Sequence, residues 1–341
     1  MFYICIHSKP LFMRRFSSIE ICAGAGGQAL GLESAGFDHL ALVEIDRQAC
    51  NTLRRNRPEW NVLEQDARQF DATSYQSVDL FAAGVPCPPF SIAGKQLGQE
   101  DERDMFPHAL RIVEECQPSA ILIENVKGIL SKRFDLYRRR LEESLTVLGY
   151  TGEWKLLISA DYGVPQLRPR AVYVGFKDDY FDYFSWPEKE DRRITVGEIL
   201  YKEMASNGWG GATAWKQQAN DIAPTLVGGS KKHGGADLGP TRAKQSWLKL
   251  GVDGKGIANE APASDFEGIP RLTTKMAALI QGFPASWEFV GKKTPVYRQI
   301  GNAFPPPVAA AVARRIISAL RKENRACRSG KVLELNFEST L

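Results

Sequence analysis

Glu20-Ile21-Cys22-Ala23-Gly24-Ala25-Gly26-Gly27, running into Gln28-Ala29-Leu30-Gly31-Leu32, is the stretch that decides the fold. Ser17–Cys22 reads as a strand, the glycines as a turn, and Gly27–Ala35 as a helix opening after it. Such a turn lets the backbone come close to a ligand and aims a helix N-terminus at an anionic group. A tight strand–helix turn with no ligand has the same residues, so the next acid matters. Glu44 lies twenty residues after Gly24, at the end of the apolar run His39–Val43. A carboxylate at that place can accept both ribose hydroxyls of a nucleoside cofactor. Asp66, after the third apolar run Trp60–Leu63, suits an adenine amino group or, equally, a turn or cap.

Outward from this point, short β-rich runs alternate with helical ones as far as residue 176. Val78–Ala83, Ala120–Glu124 and Ala171–Phe176 read as strands; Gln48–Asn56, Phe106–Cys116 and Phe134–Leu148 read as helices. Near-continuous apolar strands in strand–helix alternation predict an α/β fold, a doubly wound, mostly parallel sheet covered on both faces. The character changes near 186, where Gly, Lys, Trp and Asn dominate and periodicity weakens. After about 290 a regular pattern returns: Pro305-Pro306-Pro307 precedes a helix with the stripe Val308, Val312, Ile316 and Leu320. The expected division is an N-terminal extension at 1–12, a strand–helix domain at 13–185 and a smaller irregular domain at 186–288. A segment at 289–325 then returns to the first domain, followed by a polar tail at 326–341.

The 341 residues are 43 % hydrophobic and 25 % charged, with net charge +4, which excludes a disordered chain and leaves the question of partners open. No run approaches a membrane span and the first sixteen residues lack the pattern of a secretory signal, so the expected compartment is the cytoplasm. Residues 228–256 hold six Lys or Arg, two Asp and eight Gly, a basic flexible stretch able to follow a phosphate backbone or simply to be a solvated loop. The six cysteines form no CxxC pair and the four histidines are scattered, so no metal site is expected.

Three further stretches carry chemistry. In Gly84-Val85-Pro86-Cys87-Pro88-Pro89-Phe90-Ser91 the thiol of Cys87 sits between prolines at the C-terminal edge of a strand, where doubly wound sheets bind ligands. A cysteine that only fills a core needs no such turn. In Ile121-Leu122-Ile123-Glu124-Asn125-Val126 an acid ends an apolar strand at the same edge, suited to a cap, a salt bridge or a carboxyl with a raised pKa. In Gln166-Leu167-Arg168-Pro169-Arg170, period-2 spacing puts Gln166, Arg168 and Arg170 on one face, either to hold a phosphate or base carbonyl or as charges on an exposed edge strand.

These blocks, in this order, resemble those of the DNA (cytosine-5)-methyltransferases, in particular the bacterial and phage restriction–modification type. Gln-Gly-Phe-Pro at 281–284 and Arg-Gln-Ile-Gly-Asn-Ala-Phe-Pro-Pro-Pro-Val-Ala at 298–309 complete the set, which spans about 17 to 320. The resemblance implies methyl transfer from S-adenosylmethionine to carbon 5 of a flipped-out cytosine in double-stranded DNA. It implies Cys87 as nucleophile, Glu124 at ring N3 and Arg168 and Arg170 in support. Cofactor contacts would be Cys22, Gly24, Gly26, Gly27, Glu44, Ile45, Asp66, Ala67, Gly84, Pro86, Met105, Asn302 and Ala303. DNA contacts would be Ser91, Lys95, Gln166, Thr225, Lys231, Lys232 and Arg242, with 186–288 reading the target. A monomer, no metal, and a cognate restriction endonuclease acting on the same site are implied with it. Rival readings are the RNA-modifying branch of the family, a non-catalytic DNA-binding homologue and a nicotinamide-dependent oxidoreductase; the last does not explain Cys87, Glu124 and Arg168 together. Cys22 stands where the family usually has Phe, Pro88 where Gln is common, and Lys275-Met276 where Arg-Glu is usual.

Overall fold

The structure is a computed structural model that describes residues 15–86, 104–228 and 236–323. Its centre is a seven-stranded sheet in the order β3-β2-β1-β4-β5-β8-β6. The strands are β1 (Phe16–Ile21), β2 (Phe37–Glu44), β3 (Val62–Glu64), β4 (Leu80–Gly84), β5 (Ala120–Val126), β6 (Tyr150–Ile158) and β8 (Pro169–Lys177). From β3 to β5 all neighbours are parallel; β8 runs antiparallel between β5 and β6. The expected doubly wound sheet is present, with one reversed strand that the apolar pattern did not announce.

Alternate residues of the central strands feed two different cores. Ile19, Ile21, Phe81, Ala83, Ile121 and Ile123 pack with Phe106, Ile112 and Val113 of α3 (Phe106–Cys116) and with Leu141 and Leu145 of α4 (Asp135–Val147). Leu80, Ala82, Ala120 and Leu122 face Val308, Val312 and Ile316 of α10 (Pro306–Leu320). Both faces are therefore covered, which is why the central strands read as near-continuous apolar runs. Helix α1 (Gly27–Ala35) lies against α10, and the contact is close because Gly31 has no side chain: a Cβ there would stand 2.6 Å from the Pro306 carbonyl oxygen. Two prolines open α10, Pro306 and Pro307, where missing amide hydrogens leave no helical bond unmade.

The region after 186 holds α5 (Val196–Met204), α6 (Ala212–Gln218), α7 (Thr241–Lys249), α8 (Thr274–Ile280) and α9 (Lys293–Asn302). Its apolar cluster includes Trp215, Trp247, Leu272 and Ile300 and runs without a break into Ala29, Leu30, Leu53 and Trp60. Between the two regions, β7 (Gln166–Leu167) and β9 (Ala223–Pro224) form a short parallel pair.

Candidate active site

Strand β2 ends on Glu44 at the C-terminal edge of the sheet, beside the exit of β1. The carboxylate takes the Gly24 N–H on Oε2 and the Asp46 N–H on Oε1, both at 2.7 Å. Burial pushes its pKa up, and the two amide donors pull it back. Cys22, Gly24 and Gly26 all have left-handed backbones (φ 54, 56 and 88) and carry the chain through the turn. A Cβ on Gly24 would meet nothing within 4 Å, so the loop opens onto free space there. Gly26 and Gly27 differ: a Cβ would lie 2.6 Å from Leu53 Cδ2 and 2.2 Å from the Phe304 carbonyl oxygen respectively. Packing, not a ligand, accounts for glycine at those two expected cofactor positions.

Ile45 presents a bare aliphatic surface next to Glu44, 64 % exposed. Cys22 is half-buried among acids, and Gly84 passes close to its carbonyl oxygen. Asp66 accepts from the Arg68 N–H at 2.9 Å and pairs with the Arg68 guanidinium, which holds its carboxyl below the usual range. It caps a 3-10 turn, the second of the two roles expected for it, and Ala67 is buried in that turn. The Met105 side chain packs in the core beneath α3, Asn302 is exposed at the end of α9, and Ala303 is half-buried.

On the target side, Glu124 stands on β5 directly beside Gly84 on β4. Across the next strand, Arg170 Nε lies 2.6 Å from Glu124 Oε1, with the two side chains 11 % and 10 % exposed. Burial raises the Glu124 pKa; the positive charges of Arg170 and then Arg168 lower it. Pro86 is exposed at the end of the described segment; Cys87, Ser91, Lys95, Lys231 and Lys232 lie outside the described residues.

Two expected roles need correction. Arg168 does not face the site: it is fully buried, and its guanidinium donates to the carbonyl oxygens of Leu226 (2.8 Å), Gly301 (2.7 Å) and Ala303 (3.1 Å). Gln166 is buried as well, so it cannot reach DNA; its amide donates to Gln281 Oε1 (2.9 Å) and accepts the Leu226 N–H (2.8 Å). The predicted common face of Gln166, Arg168 and Arg170 exists, but it is turned inward. Thr225 is half-buried with its hydroxyl donating to the Leu167 carbonyl oxygen at 2.6 Å, and Arg242 is exposed on α7.

Residues 16–318 match the model of the C-5 cytosine-specific DNA methylase family. The chain belongs to that family. Among relatives, it is 55 % identical to the type II methyltransferase M.NgoMIV of Neisseria gonorrhoeae, over 91 % of this chain and 100 % of that protein. It is 52 % identical to M.NaeI of Lentzea aerocolonigenes, over 91 % of this chain and 77 % of that one. Among solved structures, the fold matches the Entamoeba histolytica methyltransferase EhMeth (TM-score 0.64, 14 % identity, covering 90 % of this chain and 99 % of that one). It also matches a mutant of Spodoptera frugiperda DNMT2 (TM-score 0.60, 18 % identity, covering 89 % and 99 %).

In this methylase the unusual Lys275-Met276 pair is absorbed locally. Lys275 Nζ lies 3.0 Å from Glu203 Oε1 of α5, and the Met276 Sδ accepts the Thr273 N–H at the start of α8, a place where a glutamate closes the usual capping box. The methylase also has a contact that sequence reasoning missed: Gly301 and Gly228 touch backbone to backbone, since a Cβ on Gly301 would lie 2.4 Å from the Gly228 nitrogen. Glycines in the blocks around them were the available signal. No helix among the described residues is long and apolar enough to cross a membrane.

Proposed function

We propose that the methylase is the modification enzyme of a type II restriction–modification system. It would act on carbon 5 of a flipped-out cytosine within one short double-stranded sequence that a cognate endonuclease also reads. The observation that carries the site assignment is the buried Glu124–Arg170 pair, with Glu124 beside Gly84, which precedes Cys87 by three residues. The names of two close relatives as type II methyltransferases support the biological setting.

S-adenosylmethionine fits the glycine-turn edge. A carboxylate has about four lone-pair sites; Glu44 uses two on its own backbone, leaving acceptors for two ribose hydroxyls. Ile45 offers a flat apolar surface for adenine, and the gap beside Gly24 leaves room for the rest. Asn302 and Ala303 close the same edge. When bound, the cofactor supplies an electrophilic methyl group.

Carbon 5 of cytosine is a weak nucleophile and gains strength only through covalent catalysis. The Cys87 thiolate forms a bond to carbon 6, and the displaced C5=C6 electrons become an enamine at carbon 5. Glu124, whose burial favours its protonated form, gives a proton to ring N3 as charge builds there. Arg170 fixes the Glu124 carboxyl in place. After carbon 5 has taken the methyl group, a base removes its proton, C5=C6 re-forms as the thiolate leaves, and ring N3 returns its proton to Glu124. Residues 186–288 would read the DNA, with Thr225, Arg242, Lys231 and Lys232 near the phosphates, and Ser91 and Lys95 would follow the nucleophile onto the duplex.

The test is methyl transfer from labelled S-adenosylmethionine to unmethylated genomic DNA, followed by bisulfite sequencing. Label at cytosine carbon 5 in one short motif is the expected result. Label in RNA alone, or label without sequence preference, would overturn the proposal.

A further inference from the structure

We infer that Gln166 and Arg168 form a buried clamp coupling the cofactor-side segment Gly301–Ala303 to the strap 225–228, so that a ligand ordering one also orders the other. The inference rests on the proposed cofactor role of Asn302 and Ala303. The clamp holds both sides of one peptide: the Leu226 N–H goes to Gln166 Oε1 and the Leu226 carbonyl takes Arg168 Nη1, each at 2.8 Å. The other arm of the same guanidinium spans the Gly301 and Ala303 carbonyls. A second path runs from Gln166 Nε2 to Gln281 Oε1 at 2.9 Å, and from Gln281 Nε2 to the Ala303 carbonyl at 2.5 Å. Gln166, Arg168 and Gln281 are all at 0 % exposure, so no water competes for these bonds. In such a place hydrogen bonds from a charged donor are at their strongest.

The two segments also touch directly. A Cβ on Gly228 would stand 2.5 Å from Asn302 Oδ1 and 2.7 Å from the Arg298 carbonyl oxygen, matching the Gly301–Gly228 approach from the other side. At Gly301 the approach is backbone to backbone, the Asn302 side chain fills the space beside Gly228, and packed interiors pass displacement on rather than soften it. Each end has an outward-facing part: Asn302 is exposed at the cofactor edge, and Val227 is 48 % exposed on the strap beside Thr225. Two residues beyond Arg168, on the same face, Arg170 meets Glu124. Cofactor edge, strap and target carboxyl thus share one short run of chain. Gln166 and Arg168 are positioning residues: they touch no reactant and act through the backbone they hold.

The experiment is hydrogen–deuterium exchange on the full chain with S-adenosylhomocysteine as the probe. In the wild type, the ligand should slow exchange at the Gly24 and Asp46 amides, which donate to Glu44, and also at the Leu226 amide by about five-fold or more, the lower end of typical site-to-site coupling. Arg168→Lys shortens the side chain and loses the planar fork that spans two segments. Gly301→Ala removes no hydrogen-bonding group but drives a methyl into the Gly228 nitrogen. In both variants the slowing at Leu226 should fall below about two-fold while that at Gly24 and Asp46 persists. Slowing at Gly24 and Asp46 with none at Leu226 in the wild type overturns the coupling alone. So does full slowing at Leu226 in both variants. No slowing at any of these amides overturns the cofactor assignment and the clamp with it. The wild-type arm decides even if a variant fails to fold.

Discussion

Arg170→Met asks whether Glu124 is a buried carboxyl held chiefly by the Arg170 charge, with Arg168 the lesser one. The pair is 2.6 Å apart and nearly dry, at 11 % and 10 % side-chain exposure, so solvent screens little of the interaction. Burial raises the Glu124 pKa and Arg170 is the first influence lowering it. Methionine keeps an unbranched stem in place and removes the charge. An unpaired carboxylate then takes up a proton rather than stay charged, which sets a ceiling on the electrostatic loss. The wild-type carboxyl already lies above its ordinary value of 4.5, so the loss due to the substitution stays below the whole linkage cost, which at about 1.36 kcal/mol per pH unit is roughly 4.8 kcal/mol at pH 8 and roughly 0.7 kcal/mol at pH 5. The folded carboxyl holds its proton more tightly than the unfolded one. Variant and wild type therefore differ least below the wild-type folded pKa, and the difference grows as pH rises from there toward the still higher folded pKa of the variant. We expect destabilisation of about 3–5 kcal/mol at pH 8, in the range for breaking a buried pair, shrinking at pH 5 to about 1–2 kcal/mol from lost hydrogen bonding and contact. Urea unfolding at pH 5, 6.5 and 8 measures this, with Arg170→Met/Glu124→Gln as a control that should show no such slope. Equal destabilisation at pH 5 and pH 8, or the same slope in the double variant, refutes the reasoning.

Cys87→Ser should abolish methyl transfer while DNA binding, followed by electrophoretic mobility, persists; turnover equal to wild type would end the covalent mechanism. Glu44→Ala should weaken S-adenosylhomocysteine binding about 10- to 100-fold by calorimetry, the value of one or two hydrogen bonds to a charged acceptor; unchanged affinity would remove Glu44 from the cofactor site. Gly27→Ala should destabilise the fold by about 1–3 kcal/mol in urea, because the new methyl meets the Phe304 carbonyl at the α1–α10 contact; a neutral result would mean that contact is looser than it stands. His39 donates from Nε2 to the Ala29 carbonyl and accepts the Ser18 hydroxyl on Nδ1, and burial lowers its pKa to about 4. The unfolded chain therefore takes up this proton first, and stability present above pH 6.5 is lost by up to about 3 kcal/mol as pH falls toward 4. Replacing His39 with Gln should flatten that part of the urea-midpoint profile, and parallel profiles would contradict it.

The central strands were legible because β4 from Leu80 to Ala83 and the first four residues of β5 are apolar toward both cores, and β1 adds Phe16, Ile19 and Ile21. Strand β6 was not, and its position explains why. It is the edge of the sheet, and Glu153 and Lys155 stand in its middle, as edge strands tolerate and interior ones do not. Its reversed neighbour β8 was legible as a strand but not in direction, because an apolar run carries no record of which way its partners point. At the site, Glu44 and Glu124 were readable as acids ending apolar strands, and both stand at the predicted edge. The run Gln166-Leu167-Arg168-Pro169-Arg170 shows where such reading stops. Its period correctly placed three polar side chains on one face, and a charged face is ordinarily turned to solvent or a ligand. Here Arg168 is turned to the main-chain carbonyls of Leu226, Gly301 and Ala303, and Gln166 to the Leu226 N–H and the Ile280 carbonyl, groups that every residue possesses and that leave no mark in the sequence. The last, Arg170, meets the carboxylate of Glu124, an acid already readable at the end of its strand, and that is the pair on which the catalytic assignment stands.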